Sequence, residues 1–160
     1  MTIYLASDHA GFSLKEAVKA ALSKGKDEII DCGAHTLDTA DDYPDFISKA
    51  ANLVASNHDS RGLVFGGSGQ GEAMVANRVK GVRCAVFYGP VKPHEAVDVE
   101  GHSSDDPFII IHLERQHNNA NMLSFGARFV SKEDTLKAVT EFLATPFSNA
   151  DRHIRRLNKF

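Results

Sequence analysis

Five short apolar runs, each followed by a segment with helical spacing, constrain this chain more than any other feature of it. The runs are Ile3-Tyr4-Leu5-Ala6, Glu28-Ile29-Ile30-Asp31, Gly62-Leu63-Val64-Phe65, Val82-Arg83-Cys84-Ala85-Val86-Phe87 and Met122-Leu123-Ser124-Phe125. They lack a strict polar alternation and so read as strands buried on both faces. Helical periodicity runs through Leu14 to Leu22, Tyr43 to Ala55, Glu72 to Val79, Phe108 to Arg115 and Thr135 to Leu143. Right-handed crossovers stack such an alternation into one parallel sheet with helices on both faces. The expected fold class is therefore α/β, a doubly wound sandwich built as one domain over residues 1–160. Ligands in such sheets sit beyond the carboxyl ends of the strands, which directs attention to the loops after Ala6, Phe65, Phe87 and Phe125.

Composition narrows the partners. A formal net charge of -3 leaves no global field to recruit nucleic acid or an anionic membrane, so any anion site must be local. No apolar run approaches the roughly 20 residues of a membrane span, and the start from Met1 to Ala6 lacks the regions of a signal peptide. The expectation is a cytoplasmic protein. Cys32 and Cys84 stand in separate apolar segments without CxxC spacing, and read as buried thiols, not as a disulfide or zinc site.

Two loops carry most of the chemistry. The first strand ends in Ser7-Asp8-His9-Ala10-Gly11, a carboxylate and an imidazole side by side, suited to proton transfer and phosphate contact; the plainer alternative is that Asp8 or Ser13 caps the following helix. The third strand runs into Gly66-Gly67-Ser68-Gly69-Gln70-Gly71-Glu72. Its glycines let the backbone turn tightly and aim N–H groups at an anion, a cradle for a phosphate or enolate oxygen. The dinucleotide fingerprint is excluded because Glu72 replaces its third glycine and the motif follows the third strand; a P-loop is excluded because no lysine ends it. Glu72 falls in a first helical turn, where a carboxylate commonly just complements the helix dipole. Beside a glycine cradle at the functional edge, it is also where a base would move a proton between adjacent carbons.

Three further segments stand out. Arg115-Gln116-His117-Asn118-Asn119-Ala120-Asn121 reads as a polar loop entering the fifth strand from its amino end, away from its own active edge but available to a neighbouring subunit. The tail Asp151 to Leu157 belongs to a basic helix expected over about 148–158, with Arg152 and Arg156 one turn apart, a pairing suited to a phosphate dianion or simply to the helix end. Between them, Tyr88 to Pro107 holds three prolines, two glycines and five acidic residues without a helical or strand period, and reads as a long ordered insertion loop or lid, or as a solvated insertion with no role.

Taken in order, Ser7-Asp8-His9-Ala10-Gly11, Gly67 to Glu72 with Ala76-Asn77-Arg78, Arg115 to Asn119, Gly126-Ala127-Arg128 and Arg152-His153 resemble the type B ribose-5-phosphate isomerases, a family that includes galactose-6-phosphate isomerase subunits. The resemblance implies a Rossmann-like three-layer sandwich with a five-stranded parallel sheet. It also implies a homodimer or tetramer, with no metal and no cofactor, isomerising a small phosphorylated sugar through a cis-enediol. Position by position, Glu72 matches the proton-shuttling base, Ser68 an assistant with hydroxyl protons, and Gly67, Gly69, Gln70 and Gly71 the cradle. Asp8 and His117 match residues that open the sugar ring and Asn118 a substrate-binding amide, while His9, Arg128, Arg152 and Arg156 match a phosphate grip. His117, Asn118 and Arg128 are expected from the second subunit, giving a composite active site.

Two departures qualify the match. A branch of the family carries a cysteine two residues before the position of Ser68, where this chain has Gly66, which leaves Glu72 as base. The insertion from Tyr88 to Pro107 leaves the sugar open: ribose 5-phosphate leads, with other four- to six-carbon sugar phosphates as alternatives. A sugar-phosphate sensor on the same fold would need the arginines but neither Glu72 nor His117, and a metal-binding role for the insertion is a third reading.

Overall fold

A computed structural model describes residues 1–159. In chain order the elements are β1 (Thr2–Ser7), α1 (Phe12–Leu22), β2 (Glu28–Asp31), α2 (Tyr43–Ser56), β3 (Arg61–Gly66), α3 (Gln70–Ala76), β4 (Cys84–Phe87), α4 (Ile109–Asn118), β5 (Met122–Gly126), α5 (Lys132–Ala144) and α6 (Asp151–Leu157). Local chemistry explains several boundaries. Pro44 opens α2, where its missing N–H costs nothing. Ser131 caps α5, its hydroxyl accepting from the Asp134 N–H at 3.0 Å. Gly69 begins α3 at φ 75°, in a left-handed conformation that glycine adopts without steric cost.

The five strands form one fully parallel sheet in the order β2-β1-β3-β5-β4. The chain moves outward from β1 to β2, then returns to place β3 on the other side of β1. This reversal makes the β1/β3 boundary a switch point, and the two flanking helices α1 and α3 leave it on opposite faces. One face buries Phe65, Phe87, Phe125, Phe108, Ile111 and Phe142 beneath α1, α4 and α5; the other buries Ile47, Ala50, Val54, Val64 and Met122 beneath α2 and α3. Phe65 and Phe125 stack at 5.2 Å between ring centres on neighbouring strands. Each such fully buried ring contributes about 1.5–3 kcal/mol of transfer free energy, so the strand ends that carry the loops rest on a rigid base.

The register brings the functional loops together. Ser7 lies beside Phe65, and Gly66 beside Gly126. Asp8, Gly67 and Ala127-Arg128 therefore leave the sheet side by side.

The polar cluster before β5 differs from its expected form. Arg115 to Asn118 complete the last turn of α4, and Asn119 leads out of the helix at φ 45°, ahead of Ala120 and Asn121. The Arg115 guanidinium is 2% exposed and donates to the Thr145 and Ala120 carbonyls and to Asn119 Oδ1. Arg115 is thus a buried tie between α4, the entry to β5 and the end of α5; periodicity places it at a helix end, and it is the polar, amide-rich composition of the run that suggests a solvated loop.

Candidate active site

A cleft of about 360 Å³ opens at the β1/β3 switch point, lined by Asp8, His9, Ala10, Tyr43, Gly67, Ser68, Gly71, Glu72, Arg128 and Phe129. Each polar group in it is placed by its own strand end. Asp8 is buried and its Oδ1 accepts from the N–H groups of Ala10 at 3.0 Å and Gly11 at 3.1 Å, so it both shapes the loop and faces the cleft. The helix-capping alternative does not hold: α1 starts after Gly11 with no side-chain cap from Asp8 or Ser13, and Asp8 instead braces the turn before it.

His9 is fixed by a residue that sequence reasoning missed. Asp41 Oδ1 accepts from the His9 backbone N–H at 3.0 Å and pairs with ring Nδ1 at 2.7 Å. The hydrogen bond to Asp41 raises the His9 pKa above its usual value; burial and the Arg128 charge oppose, and the Asp8 charge reinforces. Asp41 stands in an aspartate-rich stretch that resembles a solvated loop, and no local pattern connects it to His9. Tyr43, at the start of α2, was read only as a helix boundary; its ring meets the site across Gly71, where an added Cβ would come within 2.9 Å.

Glu72 is 4% exposed although it faces the cleft. Burial raises its pKa, the amides of Glu72 and Gly69 pull it partly back, and the nearby Asp8 charge raises it again. A carboxyl group held in this state releases and regains a proton closer to neutrality than an exposed one does.

Its position explains Gly66. A Cβ at that residue would fall 1.8 Å from Glu72 Oε1. A side chain at position 66 and a glutamate at 72 therefore compete for one volume, and the glycine is the condition for the carboxylate. Gly66→Ala should cost about 1–3 kcal/mol of stability by overpacking. Thermal denaturation should show that cost largely abolished when Glu72 is also Ala, because the clashing group is then gone.

The remaining expected site residues fall in different places. Gly69 and Gln70 do not line the cleft: Gly69 packs against the Phe125 carbonyl, where a Cβ would meet backbone at 2.9 Å, and the Gln70 side chain is exposed. Arg128, expected from a second subunit, lies in its own chain's cleft; its N–H donates to the Gly67 carbonyl at 3.2 Å, because the β3/β5 pairing brings the two loops together. His117, Arg152 and Arg156 line a separate pocket of about 230 Å³. There the His117 and His153 rings stack at 4.2 Å between centres. Asn118 is exposed at the end of α4 and borders a third cavity beside Cys84 and Glu114. Within one chain, the ten cleft residues and the His117–Arg156 group are not brought together.

Among the described residues, two groups place potential ligand atoms within 4.8 Å of one another, Asp8-His9-Asp41 and Asp98-Glu100-His102. In each, the histidine and an aspartate are already hydrogen-bonded to one another.

A doubly wound sheet with a buried carboxylate of raised pKa beside an arginine and a histidine, in a cleft at its switch point, has the equipment of an enzyme that moves protons on a small anionic substrate. Comparison with known proteins makes the class specific. The family model for Ribose/Galactose Isomerase matches residues 3–100 and 108–160. Ribose-5-phosphate isomerase B of Mycolicibacterium paratuberculosis is 41% identical over 158 residues, covering 99% of this chain and 88% of that protein. The Mycoplasma pneumoniae protein described as probable ribose-5-phosphate isomerase B is 37% identical over 157 residues, covering 98% and 91%. Among solved structures, ribose-5-phosphate isomerase B from Mycoplasma genitalium with bound ribulose 5-phosphate superposes with a TM-score of 0.84 at 34% identity, covering 99% of this chain and 92% of that one. The Thermotoga maritima enzyme gives 0.82 at 35% identity, covering 99% and 95%. The chain belongs to the ribose/galactose isomerase family. Of the segment read as an insertion, residues 88–100 are matched by the family model and 101–107 are not.

Proposed function

We propose that this chain is a single-domain aldose-ketose isomerase that interconverts ribose 5-phosphate and ribulose 5-phosphate. The observation that carries the reading is Glu72, a carboxylate buried in the cleft with a raised pKa and space reserved for it by Gly66. The ribulose 5-phosphate bound to the Mycoplasma genitalium relative supports the choice of sugar.

In this mechanism Glu72 takes the proton from C2 of the open-chain aldose and returns it to C1, through a cis-enediol. Ser68 assists with the hydroxyl protons, and the backbone at Gly67, Ser68 and Gly71, which faces the cleft, holds the developing oxygen charge. Asp8 and His117 open the ring, and Asn118 holds a substrate hydroxyl. His9 and Arg128 grip the phosphate from one chain, with Arg152 and Arg156 reaching it from the other. That division supports a homodimer with two composite sites, since His117, Asn118, Arg152 and Arg156 lie outside the cleft of their own chain.

Assay of four-, five- and six-carbon aldose and ketose phosphates for interconversion tests the reading. Turnover is expected to be fastest with the ribose 5-phosphate pair, and turnover of none of them would overturn it.

The His9 pair supplies a pH prediction. Its raised pKa keeps the imidazole charged, and phosphate bound, to higher pH than an isolated histidine would allow. Asp41→Asn removes the largest cause of that shift. The pH above which KM for ribose 5-phosphate climbs should then move down, with kcat changed much less, in pH profiles of the two proteins.

A further inference from the structure

The insertion places a carboxylate where the proposed phosphate grip would need its anion. Its tip is a braced turn built on Asp98. Asp98 Oδ1 accepts from the N–H groups of Glu100 and His102, both at 3.0 Å, and Oδ2 pairs with His102 Nδ1 at 2.6 Å. The Val97 N–H closes the turn on the His102 carbonyl at 2.7 Å. Glu100 is thereby presented from a defined scaffold, and its two oxygens meet the Arg152 guanidinium at 3.0 Å and 3.2 Å. This two-pronged contact is the one a guanidinium offers a phosphate.

The surroundings point the same way. Ala96 to Val99 form one wall of the pocket whose other wall is His117, Arg152, His153 and Arg156. Burial lowers the His153 pKa, and the neighbouring His117, Arg152 and Arg156 lower it further, so the fixed positive charge of this wall belongs to the two arginines. Of the pair, Arg152 is held by Glu100 and Arg156 carries no ion pair among the described residues.

We propose that Glu100 acts as an internal stand-in for the substrate's phosphate on Arg152, making the 88–107 insertion a specificity-determining segment of the isomerase. The inference rests on the assignment of Arg152 to the phosphate grip. A phosphate dianion carries more charge and a third acceptor oxygen, so it displaces the single carboxylate. A monoanionic or uncharged sugar does not recover the cost of breaking the pair. The segment thus raises the threshold for binding without touching the reacting carbons. Because Glu100 is 45% exposed and Arg152 33% exposed, the pair is screened by solvent and the threshold is modest. Exposed pairs of this kind change an equilibrium by about two- to five-fold.

The test is Glu100→Gln in the full chain, read by calorimetric binding of inorganic phosphate and by steady-state kinetics with ribose 5-phosphate. The dissociation constant for phosphate and the KM should both fall about two- to five-fold, with kcat unchanged. Unchanged or weakened phosphate binding overturns the proposal; weakening would mean that Glu100 supports Arg152 in its working position. Arg152→Met, measured beside it, separates this failure from failure of the underlying assignment. If Arg152→Met leaves phosphate affinity intact, Arg152 is not in the grip and both fall; if it abolishes binding while Glu100→Gln does nothing, only the role of Glu100 falls.

Discussion

Glu72→Gln should lower kcat for ribose 5-phosphate by about 10²–10⁴, the usual cost of losing a positioned base. Gln is isosteric and keeps an acceptor for the Gly69 and Glu72 amides, so the cleft should retain its shape and KM should change little. A second readout has the opposite sign. Burial raises the folded-state pKa of Glu72, and Asp8 raises it further, so the folded protein holds this proton more tightly than the unfolded chain does. Relative to its protonated form, the carboxyl group costs stability as pH rises from its unfolded pKa through its folded one, and the cost is constant above both. Glu72→Gln cannot ionise. Its melting temperature should therefore exceed wild type at pH 7–8, and the difference should shrink towards pH 4. A variant that loses both activity and stability at neutral pH would mean that Glu72 is structural.

Two inactive variants should restore activity when their subunits are mixed. If each site combines Glu72 of one chain with His117 of the other, a two-fold dimer of Glu72→Gln with His117→Ala contains one doubly altered site and one intact site. Random mixing makes about half the dimers hybrid, so about a quarter of the sites should regain wild-type turnover, far above either parent. The geometry behind the expectation is the separation of the two groups: Glu72 lines the switch-point cleft, while His117 lies in another pocket against His153. Activity equal to the mean of the two parents after co-expression would show that each chain works alone and that His117 serves another purpose.

The strands and helices were legible because five buried strands leave apolar runs and the crossover rule leaves few ways to stack them. Strand order was not legible in the same way. Nothing in the β4 and β5 segments says that β5 inserts between β3 and β4, yet that insertion carries Arg128 to Gly67 and into its own chain's cleft. The second-subunit placement of Arg128 came from the family resemblance and not from the strand order, which puts it in its own chain's cleft. Glu72 and the glycines were visible because a local motif holds both the carboxylate and the room for it. Asp41 and Tyr43 were not, since each reaches the site through a contact distant in sequence, from Asp41 to His9 and from Tyr43 to Gly71. The Arg115 to Asn118 run failed as a loop because polarity does not distinguish a solvated arginine from one whose guanidinium is hydrogen-bonded inside the fold.

If Glu72 carries a proton between C1 and C2, that proton exchanges in part with solvent during turnover. With ribose 5-phosphate in heavy water, the wild-type protein should place deuterium at the carbon that receives the proton, detected by NMR of recovered sugar phosphate. Glu72→Gln should do so slower by the same factor as its loss of turnover. Exchange at the wild-type rate in Glu72→Gln would contradict the assignment and place the base elsewhere in the cleft.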